Sequence, residues 1–237
     1  MTTLESLGMS YSQLDCGSIC TIGEKLTRLQ SLIHFDISGN FIAREGGAGL
    51  GRNLRWMSAM KHLNMADSNV DTLTMTTILA SLPYTPFIAT LDLSNNKLGD
   101  EGVGALARCF RSLPLLRDLN LSDNVIGENG GRSLARRSVT CHILRKLDLS
   151  SNPIGFLAVL SLIHKLKSKR VFLLDLKLVY LDDDFDSDIV ASLCDHITFN
   201  MGVPAMARQT TQYTNGRIHK LTNIQAGNFI VVLTPPA

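Results

Sequence analysis

The chain has 237 residues, 45% of them hydrophobic, with five cysteines and a formal charge of +2. That length and apolar content suffice for one continuous core, and the small net charge selects no class of partner. No run approaches the roughly 18 apolar residues of a membrane-spanning helix, and Met1 to Gly8 lacks the basic start and apolar stretch of a secretory leader.

The chain measures itself in steps of 28. Leu7, Phe35, Leu63, Leu91, Leu119 and Leu147 fall 28 positions apart, and a seventh anchor, Leu174, follows at 27. Around each anchor sits the frame L-x-x-L-x-L-x-x-N-x-L, whose alternating apolar positions predict a short strand with one buried face. A helical stretch follows each strand. Its buried columns keep the same period: Ile22, Leu50, Ile78, Leu106, Leu134, Leu162, and Leu26, Leu54, Leu82, Phe110, Ser138, Leu166. The asparagine position is filled by Asn40, Asn96, Asn124 and Asn152, whose amides can bond the backbone of a buried turn. Ser12 and Ser68 can do part of that work, whereas Val179 cannot, so the regular repeat weakens by the seventh turn. Helix starts are marked by acids, as in Gly99-Asp100-Glu101-Gly102.

From Gln209 the character changes. Asn215-Gly216 between alternating runs predicts a hairpin, and Phe229 to Leu233 a further strand. The expected division is residues 1–200 as a solenoid of about seven 28-residue repeats, and 201–237 as a β-hairpin cap or extension. No cap is visible before Leu4, which already begins the first frame. The chain is then a fragment, or another subunit covers that end.

Three segments carry a family likeness: Leu-Asp-Leu-Ser-Asn-Asn-Lys-Leu-Gly-Asp-Glu-Gly at 91–102, Leu-Asn-Leu-Ser-Asp-Asn-Val-Ile-Gly-Glu-Asn-Gly at 119–130, and Leu-Asp-Leu-Ser-Ser-Asn-Pro-Ile-Gly at 147–155. They resemble the ribonuclease-inhibitor-like class of leucine-rich repeats, and the match runs over roughly residues 4 to 195. The resemblance implies an α/β leucine-rich repeat solenoid, or horseshoe, with a parallel concave sheet and outer helices; the tail adds a small antiparallel C-terminal cap. Cys16, Cys20, Cys109, Cys141 and Cys194 fall mostly at core-like positions, without the terminal cysteine cluster of secreted repeats. They read as reduced thiols in a cytoplasmic protein.

A solenoid offers surfaces rather than pockets. The outward strand positions give a central column of Gly8, Asp36, Asn64, Asp92, Asn120, Asp148 and Asp175. Strands about 4.7 Å apart turn it into an Asp/Asn ladder suited to a basic segment of a protein partner; class consensus is the plainer explanation. The neighbouring column, Ser6, His34, His62, Thr90, Asp118 and Lys146, varies as a recognition surface should. His34 and His62 sit on adjacent strands, but a metal needs a third ligand, so no metal or cofactor is expected. A third column, Ser10, Ser38, Ala66, Ser94, Ser122 and Ser150, is small.

Between Arg132 and Arg170 stand nine Lys/Arg and one acid. Arg132, Arg136 and Arg137 lie on one outer helix, and Lys165, Lys167, Lys169 and Arg170 end the next, forming a patch for an acidic second partner or a solvated helix face. Nucleic acid is disfavoured because no aromatic platform accompanies that patch. Asp182, Asp183, Asp184, Asp186 and Asp188 start like a calcium loop, yet Ser187 and Leu193 stand where Gly and Glu are needed. Cys141-His142 is a poor nucleophile pair, and no phosphate-binding or zinc-protease motif is present, so the chain is not expected to be an enzyme. The expected function is a non-catalytic scaffold or subunit of a larger intracellular hetero-complex, cytoskeletal or axonemal by class. The alternative is a small-GTPase regulator resembling the Ran activators, though those typically end in a long acidic tail and this chain ends in Val-Val-Leu-Thr-Pro-Pro-Ala.

Overall fold

The structure is a computed structural model. It describes residues 3–138, 140–141, 143–155, 157–159, 161–162 and 165, and the backbone of the strands at 174–179, 197–202, 213–214, 217–218 and 228–233. Leu166, Lys167, Lys169, Arg170, the aspartates of 182–188, Cys194 and His142 lie outside the described residues.

The six 28-residue anchors become six three-residue strands: β1 (Ser6–Gly8), β2 (His34–Asp36), β3 (His62–Asn64), β4 (Thr90–Asp92), β5 (Asp118–Asn120) and β6 (Lys146–Asp148). All pair in parallel with no slippage, so Phe35 faces Leu63, Leu63 faces Leu91, and Leu119 faces Leu147. The anchors from Phe35 onward are at most 2% exposed. Helices α1 (Cys16–Leu26), α2 (Arg44–Leu54), α3 (Thr72–Leu79), α4 (Gly99–Cys109) and α5 (Glu128–Ser138) return each strand to the next. Their inner columns from Leu50 to Leu162 and from Leu26 to Ser138 are buried as the period predicts. Ile22 is only half-buried.

Two helix starts are capped by side chains. Asp15 accepts from the Ser18 amide and Asp71 from the Thr74 amide, each at 2.8 Å, and these bonds hold both carboxyls below their ordinary range. Between α1 and α2 the backbones nearly touch: a Cβ on Gly23 would lie 2.9 Å from the Gly49 carbonyl carbon, and one on Gly49 3.0 Å from the Cys20 Cα. Glycine is what permits that approach.

Each strand leaves through a left-handed residue. Tyr11, Gly39, Asp67, Asn95, Asp123 and Ser151 all have φ between 50° and 67°, and the turn then exposes buried backbone donors and acceptors. Asparagine satisfies them. Asn96 accepts from the amides of Ser68 and Val70, one repeat back, and donates to the carbonyls of Met65, Leu93 and Ser94. Asn40, Asn124 and Asn152 make the equivalent connections. Ser68 reaches only the Ala66 carbonyl, and Ser12 only that of Ser10. Where Ser68 lacks an amide oxygen, its own carbonyl takes the Ile42 amide at 3.0 Å.

At the other end, β7 (Leu174–Val179) joins β6 in parallel, and β11 (Asn228–Leu233) lies antiparallel between β7 and β8 (Ile197–Gly202). Strands β9 (Tyr213–Thr214) and β10 (Arg217–Ile218) pair antiparallel with each other. The antiparallel addition therefore extends the main sheet, and β8 crosses the expected boundary at residue 200. One expectation is corrected. Leu147 pairs with Leu176, not Leu174, and Asp175 stands opposite Lys146 while Lys177 stands opposite Asp148. Leucines at 174, 176 and 178 give the same alternation in registers two residues apart, so spacing alone could not choose between them.

Loss of a buried amide that serves five backbone groups leaves several unpaired, at about 1–3 kcal/mol for each. Asn96→Ala is expected to lower unfolding free energy by roughly 2–4 kcal/mol, and Ser68→Ala by roughly 1 kcal/mol or less. Urea denaturation of the two variants checks this; equal losses would contradict the asparagine's role.

Candidate protein-binding face

The strand face presents the outward columns side by side. A groove of about 530 Å³ runs along it, lined among others by His34, Asp36, His62, Asn64, Asp92, Asp118, Asn120, Lys146 and Asp148. These are all the expected concave-face residues except Asp175, which the β6–β7 register moves out of the central column.

The central column is hydrogen-bonded along its length. Asp36 accepts from the Ser38 amide and hydroxyl at 2.9 and 2.6 Å, and its second oxygen accepts from Asn64 at 3.1 Å. Asp92 repeats the pattern with Ser94 and Asn120, and Asp148 accepts from Ser150. Asn64 and Asn120 carry out the same turn-closing job through their amide oxygens. Asp or Asn at this position thus serves the turn, as consensus would have it, yet only Asp also adds charge. In the serine column, Ser38, Ser94, Ser122 and Ser150 are the donors of these bonds.

His34 and His62 stack face to face, with ring centroids 4.2 Å apart and planes within 1°. Nδ1 of His62 is hydrogen-bonded to the Thr90 hydroxyl, a contact with no sequence signal beyond Thr90's place in the same column. Parallel rings do not converge their nitrogens on one point. Among the described residues no group of three or more His, Cys, Asp or Glu could hold a metal ion. Burial, then the neighbouring His34 and Lys61, push the His62 pKa below its ordinary value of 6.5.

On the helical side Arg132, Arg136 and Arg137 are exposed on α5, with Arg132 paired to Glu128 at 2.9 Å. Arg136 and Arg137 share a groove with Arg108 and Ser133, and a second groove joins Arg132 and Arg136 to Lys165. Arg108 belongs to this cluster and was missed. Its signal was the ruler itself, since it stands 28 residues before Arg136. Cys141 is buried, and burial pushes its thiol up to about 12, which leaves it protonated and unreactive at neutral pH. No helix among the described residues is long and apolar enough to cross a membrane.

The Leucine Rich repeat family model matches residues 86–107, 112–135 and 140–155. Among solved structures, 76 chains match. One is the actin-binding site 2 of leiomodin-1, with a TM-score of 0.50 at 15% identity over 63% of this chain and 90% of that one. The fold is a leucine-rich repeat solenoid. An internalin from Listeria monocytogenes matches with a TM-score of 0.47 at 17% identity, over 77% of this chain and 48% of the internalin. No curated protein sequence matches the solenoid.

The depressed His62 value carries a sign. Between its folded pKa and 6.5 the unfolded chain binds more protons, so stability falls as pH drops through that window. An NMR titration is expected to put the His62 midpoint below 6.5, and His34→Ala to move it upward by removing both cover and a like charge. A midpoint at or above 6.5 in the intact protein would contradict the stacked geometry.

Proposed function

We propose that the solenoid is a non-catalytic scaffold that grips a basic segment of a protein partner along its strand face, as one subunit of a larger intracellular hetero-complex. The observation that carries this is the row Asp36, Asp92 and Asp148, whose carboxylates are held in place by Ser38, Ser94 and Ser150 and line a common groove. Asp118 adds a further charge from the neighbouring column, and among the described side chains Lys146 is the one lysine or arginine lining the groove. Fixed anionic groups in a groove raise the encounter rate of a cationic segment and set its register. The adjacent stacked His34–His62 pair offers a flat ring surface beside them.

We read the repeats as ribonuclease-inhibitor-like on their Leu-Asp-Leu-Ser and Leu-Asn-Leu-Ser motifs, and place the complex first in a cytoskeletal setting. Leiomodin-1, which shares the fold, uses such a domain to bind actin. Actin filaments are accordingly the first assembly to test by cosedimentation.

Asn64 and Asn120 supply the right control, because they show that an amide keeps the turn closed without charge. A variant with Asp92→Asn, Asp118→Asn and Asp148→Asn is expected to fold with an unchanged circular dichroism spectrum. It should lose, by roughly tenfold or more, the partners that wild type captures at low salt from native extract, identified by mass spectrometry. Retention of all partners by the neutral variant would refute the acidic groove as the binding surface.

A further inference from the structure

The solenoid's two rims differ in a way the repeat frame does not require. On one rim the connections run from helix end to strand start, at residues 27–33, 55–61, 80–89, 110–117 and 139–145. They carry Arg28, Arg55, Lys61, Arg111, Arg117 and Arg145, and neither aspartate nor glutamate; Glu5, just before β1, stands at the outer end of the same rim. On the opposite rim, where strands lead into helices, Asp15, Asp67, Asp71 and Asp123 stand against Lys97.

Helix dipoles explain part of this. Arg28, Arg55 and Arg111 lie within two residues of helix ends, where cations are favoured. Lys61, Arg117 and Arg145 do not. They occupy the residue just before each strand, several positions beyond the last helical turn, where the dipole's influence has faded. Here the backbone stacks rung on rung: the Lys61 amide bonds the Ile33 carbonyl, Ala89 that of Lys61, Arg117 that of Ala89, and Arg145 that of Arg117, at 2.7–2.9 Å.

Apolar side chains stand among these cations. Trp56 is 54% exposed, Tyr84 51%, Phe87 50% and Leu115 40%. Trp56 and Tyr84 are 28 residues apart, and so are Phe87 and Leu115, so each pair is one column on neighbouring repeats. The Arg55 guanidinium lies 4.3 Å above the Tyr84 ring and ties two repeats together at this edge. Exposed aromatics beside arginines, free of like-charged repulsion for an anion, are what a protein-binding hot spot requires.

We infer that this rim is a second docking surface, for an acidic segment of a partner protein that inserts an aromatic or aliphatic side chain beside Trp56 and Phe87. Charge complementarity selects the occupant: six cations and no acid across five consecutive connections repel a basic segment and attract an acidic one. A nucleic-acid strand fits less well. Its bases want an unbroken row of open ring faces, whereas Tyr84's face is taken by Arg55 and the next member of Phe87's column is aliphatic Leu115. None of these rim residues lines the strand-face groove, so one solenoid could join a basic and an acidic neighbour.

Trp56 is the chain's single tryptophan, so the surface reports on itself. A random dodecapeptide display library is panned on the full chain and on an Arg55→Glu/Lys61→Glu/Arg117→Glu variant whose folding is matched by circular dichroism. Peptides recovered only by the wild type should be net acidic with at least one aromatic or aliphatic residue. Synthetic copies should change Trp56 emission and bind the variant at least roughly tenfold more weakly; Phe87→Ser should weaken them without altering net charge. An empty or non-acidic differential set, or no emission change, would overturn the inference. Tighter Arg55-, Lys61- and Arg117-dependent binding of a 20-nucleotide oligouridylate than of any such peptide would overturn it too, in favour of RNA.

Discussion

The buried asparagine amide is the interaction on which the rest of the solenoid depends. A strand of three residues has little to hold it, and the turn that follows is too tight and too deep for water. One carboxamide answers both needs. Asn152, for example, takes the amides of Asn124 and Ile126 from the preceding repeat while donating to Leu121, Leu149 and Ser150. It binds repeat to repeat as well as closing its own turn. Because these bonds are made in the dry interior, each is costly to lose, and that cost fixes the register of the sheet. The hydrophobic columns supply the bulk of the driving force, but they would tolerate small slips. The amide ladder does not.

The same constraint shapes the functional surface. With the turn pinned by asparagine, the position four residues before it must bond the backbone two residues on, and Asp or Asn can do so. At Asn64 and Asn120 the chain uses the neutral form, and at Asp36, Asp92 and Asp148 the charged one. The charge is therefore not needed for folding. Its alternation with amides also lets each Asn donate to a neighbouring carboxylate, as Asn64 does to Asp36. The ladder so avoids placing two carboxylates on adjacent strands, where like charges would repel. A surface assembled this way is acidic without being self-repelling.

Most of the fold was legible because its determinants are local and periodic. Leu91, Leu106 and Asn96 sit where the ruler puts them, since a 28-residue step is fixed by one strand, one turn and one helix. The seventh anchor was misplaced because Leu174, Leu176 and Leu178 satisfy the same alternation, and the choice between them belongs to the pairing with β6 and β11. The site was legible in part. Column membership gave His34 and His62 as neighbours, but not the parallel stack or the bond to Thr90, which depend on side-chain rotamers. Arg108 and Trp56 were readable in principle. Their signal is a column across repeats, which is invisible when a basic run or an aromatic count is taken along the chain.

The charge asymmetry of the rims follows from topology before it follows from selection. Parallel strands in chain order require the helices between them to run the same way, so the N-termini of α1 to α5 gather on one rim and their C-termini on the other. Each dipole is small, but aligned side by side they favour acids such as Asp15, Asp71, Asp100 and Glu128 on one edge and arginines on the other. A leucine-rich repeat solenoid is thus predisposed to have one acidic and one basic edge. What topology does not supply is the stack of Lys61, Arg117 and Arg145 beyond the helix ends, or the exposure of Trp56, Tyr84 and Phe87 beside it. A half-exposed tryptophan adds little to the core, and Arg117 and Arg145 on adjacent rungs carry like charges. On the proposed docking surface, an acidic, apolar-bearing segment would neutralise those cations and cover the exposed rings.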